Sequence, residues 1–178
     1  MPDNTAMEWP WQYQFPPFFT LQPHTETRTR QLSTWHNLVL DYFRTTRQYK
    51  LDLGEAQRLA LFNNTEINRK CDREFILIIL EELEKTKNSA PLDKTRNRWE
   101  IYWHTLQEWA DIIYSYIVNR GATGSVLTFY ELTHGDDVTE EEFKGMDDNI
   151  LLKVLRVLEE QRKCTVMLYD DQQGVKFF

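Results

Sequence analysis

The ten residues Trp99-Glu100-Ile101-Tyr102-Trp103-His104-Thr105-Leu106-Gln107-Glu108 change period halfway through. Trp99, Ile101 and Trp103 alternate with Glu100 and Tyr102, which is the period of a strand. Thr105-Leu106-Gln107-Glu108 then spells a capping box, and Leu106, Trp109, Ile113, Tyr116 and Ile117 recur at helical spacing behind it. A strand closes one unit and a helix opens the next, which puts a boundary at His104.

Upstream, Ala90 to Asp93 and a polar turn from Lys94 to Arg98 complete a two-stranded ribbon with Trp99 to Trp103. Pro91 ends the helix before it. That helix is expected from the cap-type residues Asn63, Asn64 and Thr65 to about Lys87, with Phe75, Ile76, Ile79, Leu80 and Leu83 as its core face. A brief helix around Glu55 to Leu61 and an extended piece from Tyr49 to Leu53 precede it. The first helix starts near Thr25, with Leu32, Trp35, Val39, Tyr42 and Phe43 in one stripe and Arg28, Arg30, Arg44 and Arg47 mostly off it.

Downstream the same order returns. Gly121 and Gly124 end the Thr105 helix, and Ser125 to Leu127 reads as a strand. Thr128-Phe129-Tyr130-Glu131 and Thr139 to Glu142 are two further capping boxes. Asp147 caps a helix with Leu151, Val154, Leu155 and Leu158 in its stripe, Met146 stapling onto Leu151. Cys164 to Tyr169, a turn at Asp170 to Gly174, and Val175 to Phe178 form a closing hairpin. Leu32 and Trp109 are 77 residues apart, and Trp99 and Val175 are 76 apart, so the halves keep register. Helix, strand, helix, helix and two strands is a helix-turn-helix with a ribbon appended, the winged-helix order. The expected fold class is therefore mostly α with small β-hairpins (α+β): two tandem winged-helix domains, 24–104 and 105–178, preceded by an extended Pro/aromatic arm, 1–23.

Composition narrows function. Among 178 residues, 21 Lys plus Arg stand against 28 Asp plus Glu, a net charge of −7. From Val126 to Phe178 the count is six bases against twelve acids, and from Glu66 to Lys87 it is five against six. A winged helix that reads DNA needs a basic face for phosphate contacts, so nucleic acid is not an expected partner. A nucleic-acid-binding or transcription-associated winged helix is the alternative reading. No phosphate loop, nucleophile elbow or zinc-helix motif occurs. His24, His36, His104 and His134 have no ligand spacing, and Cys71 and Cys164 read as small buried hydrophobes. No catalytic, cofactor-binding or metal-ligating residue emerges. The absence of a signal-like start or a long apolar run makes a reduced, cytosolic protein the expectation.

The aromatic residues are unevenly placed. Of 10 Phe, 8 Tyr and 6 Trp, six side chains fall between Trp9 and Phe19: Trp9, Trp11, Tyr13, Phe15, Phe18 and Phe19, interleaved with Pro10, Pro16 and Pro17. Either the segment packs on its own domain or it docks in a groove of another protein. Phe15-Pro16-Pro17-Phe18 is pre-set near polyproline II, which lowers the entropy cost of docking. Six rings exceed what a small domain is expected to absorb, so docking is favoured. On that reading an isolated chain leaves Met1 to Phe19 mobile or sequestered in a dimer.

Glu8 to Pro23, Leu61-Phe62-Asn63-Asn64, Leu127 to Gly135 and Gly174 to Phe178 together resemble the small-subunit family of ESCRT-II, the vacuolar protein sorting-associated protein 25 family. The resemblance implies a non-catalytic tandem winged-helix subunit in a complex with two larger sister subunits. It implies that Trp9, Trp11, Tyr13, Phe15, Pro16, Pro17, Phe18 and Phe19 dock on those sisters. Pro16, Pro17 and Phe19 match a Pro-Pro-x-Tyr-like motif, with Phe19 for Tyr, and Pro10 to Tyr13 is a degenerate copy. It further implies that the second winged helix recruits the initiating ESCRT-III subunit through a basic amphipathic helix, on endosomal membranes the chain touches only indirectly, in the sorting of ubiquitinated cargo into multivesicular bodies. The acidic balance of the second half suits such a partner. Phe129, Tyr130, Glu131, Asp136, Asp137, Glu140, Glu141 and Glu142 are the residues expected to meet it, with Phe129 or Tyr130 as the exposed anchor.

Overall fold

In the computed structural model, which describes residues 7–178, the first apolar stripe lies on α1, Thr25–Thr46, and buries Leu32, Trp35, Leu38, Val39, Tyr42 and Phe43. Strand β1 (Lys50–Asp52) leads into α2 (Leu53–Ala56), whose Asp52 cap accepts from the Gly54 N–H at 2.7 Å. The second helix is thus one turn long and starts earlier than the Glu55 to Leu61 expected from sequence.

The next stretch departs further from expectation. Asn63–Asn64 (β2) and Arg69–Lys70 (β3) pair antiparallel around a tight loop in which Asn68 takes φ 54°. Helix α3 begins only at Arg73 and runs to Lys85, with Asp72 accepting from the Phe75 N–H at 2.7 Å. Asn and Thr satisfy turns as readily as helix starts, so the cap signal at Asn63 to Thr65 was a hairpin. The Asp72 carboxylate three residues before Phe75 is the true cap. The predicted core of this helix, Phe75, Ile76, Ile79, Leu80 and Leu83, is buried.

Strands β4 (Ser89–Pro91) and β5 (Arg98–Ile101) close the first unit, giving a sheet of order β1-β5-β4 with Trp99 opposite both Leu51 and Pro91. Pro91 has no N–H to offer on that outer strand. The chain divides into two compact units between Trp103 and His104.

The second unit repeats the plan: α4 (Leu106–Asn119), β6 (Val126–Thr128), α5 (Phe129–His134), α6 (Asp148–Glu160), β7 (Cys164–Leu168) and β8 (Gln173–Phe177). Its sheet has the matching order β6-β8-β7, with Val175 opposite Leu127 and Val166. Corresponding elements from β1/β6 to β5/β8 start 75 or 76 residues apart. Thr105 and Glu108 form the full reciprocal capping box of α4, and Asp147 caps α6 through the Asn149 and Ile150 N–H groups. Thr128 caps α5 through the Glu131 N–H at 3.0 Å. Thr139 to Glu142 opens no helix; single turns close there instead, Glu141 N–H to Val138 O and Lys144 N–H to Glu141 O. Buried Val138 and Phe143 pin the two ends of that loop. On the outer strand β7 the Val166 N–H is taken by the Glu159 carboxylate at 2.8 Å.

Candidate functional site

The Pro/aromatic segment does not stand off as an extended arm. From Met7 on it folds as two 3-10 turns, Trp11–Gln14 and Pro16–Phe19; the remaining arm residues, 1–6, lie outside the described part. Proline's fixed φ suits a 3-10 turn as well as polyproline II, and the turn swings the rings inward. Phe18 stacks on Trp35 at 4.3 Å with planes 2° apart, and Phe19 meets the same indole edge-on at 5.6 Å. The Trp35 indole N–H donates to the Phe18 carbonyl at 2.9 Å. Gln31, buried on α1, donates to the Phe18 and Thr20 carbonyls at 3.0 and 2.8 Å and accepts from the Gln22 N–H at 3.0 Å. Asn64 on β2 donates to the Tyr13 carbonyl at 2.7 Å, and the Tyr13 hydroxyl donates to the Ala60 carbonyl. Burial, with the Glu66 charge next, pushes the Tyr13 phenol up to about 12.

For residues 7–19 this geometry corrects the expectation of a mobile or sequestered arm. Phe18 and Phe19 are 4% and 2% exposed and Tyr13 is buried beside them, so these three rings belong to the core of the first unit. The unit absorbs them because α1 presents Trp35 as a flat platform, which a count of rings along the sequence cannot reveal. What remains outward is Trp11, 71% exposed, and Phe15, 49% exposed, tilted against each other at 5.8 Å. With Pro17, Thr27 and Thr34 they line a groove of about 480 Å³. Trp9, stacked on Tyr13 at 3.9 Å, and Pro16 are half-buried beside it.

In the second unit Phe129 is 2% exposed and sits in the core, so it cannot serve as an exposed anchor. As the first residue of α5 after the Thr128 cap it points inward, and its neighbour Tyr130 points out. Tyr130 is 69% exposed and stacks on His134 at 5.0 Å. Glu131 completes the Thr128 cap. Asp136 and Asp137 lie on a 3-10 turn, and Asp137 pairs with Arg120 at 3.1 Å. Glu142 meets the His104 Nε2 at 2.6 Å, while the His104 ring stands edge-on to Trp109. The backbone hydrogen bond at Thr105 holds the Glu108 carboxyl below its ordinary range. Glu141 lines a groove of about 540 Å³ together with Asp111, Ile112, Tyr116 and Arg120, and Glu140 is exposed next to it. Sequence reasoning missed Arg120 and His104 as the counter-charges of this loop, although Ile112, Tyr116 and Arg120 recur at i, i+4 along α4 and its cap.

Among the described residues, no three His, Cys, Asp or Glu side chains gather as a metal site, and no helix is long and apolar enough to cross a membrane.

Known proteins share both the sequence and the fold. The profile of the ESCRT-II complex subunit family matches residues 12–147. Vacuolar protein-sorting-associated protein 25 of Danio rerio is 47% identical over 173 residues, covering 97% of this chain and 99% of its own. The Homo sapiens and Drosophila melanogaster proteins of that name are 45% and 43% identical, over 97% and 96% of this chain and 98% of their own. The crystal structure of subunit VPS25 of the endosomal trafficking complex ESCRT-II superposes with a TM-score of 0.83 at 27% identity, over 95% of this chain and 99% of that one. A chain of the crystal structure of endosomal complex ESCRT-II (VPS22/VPS25/VPS36) gives 0.81 at 28% identity, over 94% and 98%. Repeated winged-helix units, the ordered Pro/aromatic segment and likeness along nearly the whole length converge on one result: the chain belongs to the ESCRT-II complex subunit family.

Proposed function

We propose that this chain acts by contact and not by catalysis, as the small subunit of an ESCRT-II complex. Its first unit docks on two larger sister subunits, and its second recruits the initiating ESCRT-III subunit through a basic amphipathic helix. The assembly works from the cytoplasm, peripherally on endosomal membranes, in sorting ubiquitinated cargo into multivesicular bodies. The observation that carries the docking reading is the pair Trp11 and Phe15: two large rings held outward on a segment whose other rings are fixed in the core or half-buried. Rings on a rigid base lose little entropy on binding and bury large areas. The roles first expected for Tyr13, Phe18 and Phe19 are thereby reduced to supporting that base, with Trp9, Pro16 and Pro17 at its margin. Support for the sisters as partners comes from the relative solved within the VPS22/VPS25/VPS36 complex.

Co-expression with both sister subunits tests this reading. Trp11→Ala with Phe15→Ala is expected to lower recovery of the ternary complex at least about tenfold, since central aromatic anchors dominate interface energies. The variant's own melting temperature should stay near the parent's. Undiminished recovery would remove Trp11 and Phe15 from the interface.

A further inference from the structure

A threonine three residues before an acid spells a helix cap, and it is also the charge pattern that an acid-directed protein kinase reads. Among the described residues the pattern occurs at Thr105, Thr128, Thr133 and Thr139, and at no serine; a further copy, Thr5, lies outside them. The fold uses up three of these hydroxyls. Thr105 accepts from the Glu108 N–H at 3.2 Å and Thr128 from the Glu131 N–H at 3.0 Å, both half-buried where helices start. Thr133 has no exposure and donates to the Phe129 carbonyl at 2.9 Å within α5. Thr139 alone of the four is exposed, on a span that opens no helix, and its hydroxyl reaches the Asp136 carbonyl only at a long 3.4 Å.

We propose that Thr139 is the phosphoacceptor of an acid-directed protein kinase. Glu140, Glu141 and Glu142 follow it without a break, Asp136 and Asp137 precede it, and no Lys or Arg falls between 135 and 143. A basic kinase cleft draws in such a run, and a cleft built for basic substrates repels it. Kinases take their substrates as extended chain. Here that means opening the single turns closed by the Glu141 and Lys144 N–H groups, not unwinding a helix as at Thr105 or Thr128. Isolated surface turns open at low cost. Glu142 is held by His104, but its side chain is 51% exposed, and a pair so exposed is worth little against a kinase's own cations. In the transfer the ATP γ-phosphorus bonds the Thr139 Oγ1 as its bond to the bridging oxygen of the departing ADP breaks. The hydroxyl proton passes to the kinase's catalytic aspartate.

The test treats the full chain with magnesium ATP and casein kinase 2 as the acid-directed probe, beside the base-directed cyclic-AMP-dependent kinase. Phosphate is expected on Thr139 with the first kinase and not the second, placed by fragmentation of the peptide that carries it. Thr139→Ala should lower the incorporation at least about tenfold, Thr139→Ser should restore it, and Glu142→Gln should slow it about fivefold or more. Phosphate on Thr5, Thr105 or Thr128 in place of Thr139, or none at all, overturns the proposal. Equal labelling of Thr139 by both kinases overturns the acid-directed reading. A peptide of residues 133–145 that is phosphorylated while the folded chain is not overturns it as well, since the fold would then hide the hydroxyl. Thr139 caps no helix, so the variants should keep the parent's amide spectrum, which separates a lost acceptor from a lost fold.

Discussion

Trp35 is the residue on which the first unit turns: it has no exposure, carries Phe18 flat on one face, and meets Phe62 and Phe75 as well. Phe18→Ala should therefore cost about 3–5 kcal/mol, as for other buried rings. Trp11→Ala, close in sequence to the core side chain Tyr13 but outward, should stay within about 0.5 kcal/mol. Gln31→Leu keeps the volume yet takes the acceptor from the Gln22 N–H and one of two donors from each of the Phe18 and Thr20 carbonyls, an expected loss of about 1–3 kcal/mol. Thermal melts of the three variants separate these outcomes. The thiols give a pH signature. Burial raises Cys164 from 9.0 to about 11 and raises Cys71 too, Asp72 adding to the latter. Above about pH 9 the unfolded chain releases these protons and the folded chain keeps them, so stability is full below that pH and falls as pH rises through it. Urea midpoints should accordingly drop between about pH 8 and pH 10.5. Ellman's reagent at about pH 8 should titrate neither thiol until denaturant is added.

At the scale of elements, four-residue patterns that look alike differ in the chain behind them. Thr105-Leu106-Gln107-Glu108 and Thr139-Glu140-Glu141-Glu142 have the same cap-and-acid form, but only the first precedes a helical stripe. Thr105→Ala is expected to cost about 1 kcal/mol and Thr139→Ala no more than a few tenths, measurable by urea unfolding. The long stripes were legible because burial imposes their 3.6 period: every predicted core residue of α3 is buried, as are Leu151, Val154, Leu155 and Leu158 on α6. The β2–β3 hairpin was not legible, because two-residue strands carry no period and Asn serves caps and turns alike. For the arm, chain order shows that Phe18 and Phe19 are adjacent; it does not show that α1 sets Trp35 against them. Tyr130 was readable as a candidate by type, and only backbone direction after Thr128 distinguishes it from Phe129.

Over the whole molecule charge is segregated. Fourteen bases balance fourteen acids through Trp103, and seven face fourteen from His104 on, so the entire net −7 belongs to the second unit. On the proposed recruitment, capture of a basic helix should therefore be steered by that half, with an association rate falling about tenfold or more between about 0.05 and 0.5 M salt. A rate insensitive to salt in stopped-flow mixing would show that encounter is not electrostatic. The two three-stranded sheets also end in guarded margins: β1, β4 and β6 are three residues long, Pro91 withholds a donor on β4, and Glu159 occupies the Val166 N–H on β7. That same hydrogen bond, with Arg156 next, holds the Glu159 carboxyl below its ordinary value, which favours the ionised form that guards the strand. Strands left open template one another when molecules are crowded. Here the shortness of three edge strands, Pro91 and the occupied Val166 N–H cut down the row of donors that a neighbouring copy could knit onto when molecules are concentrated side by side.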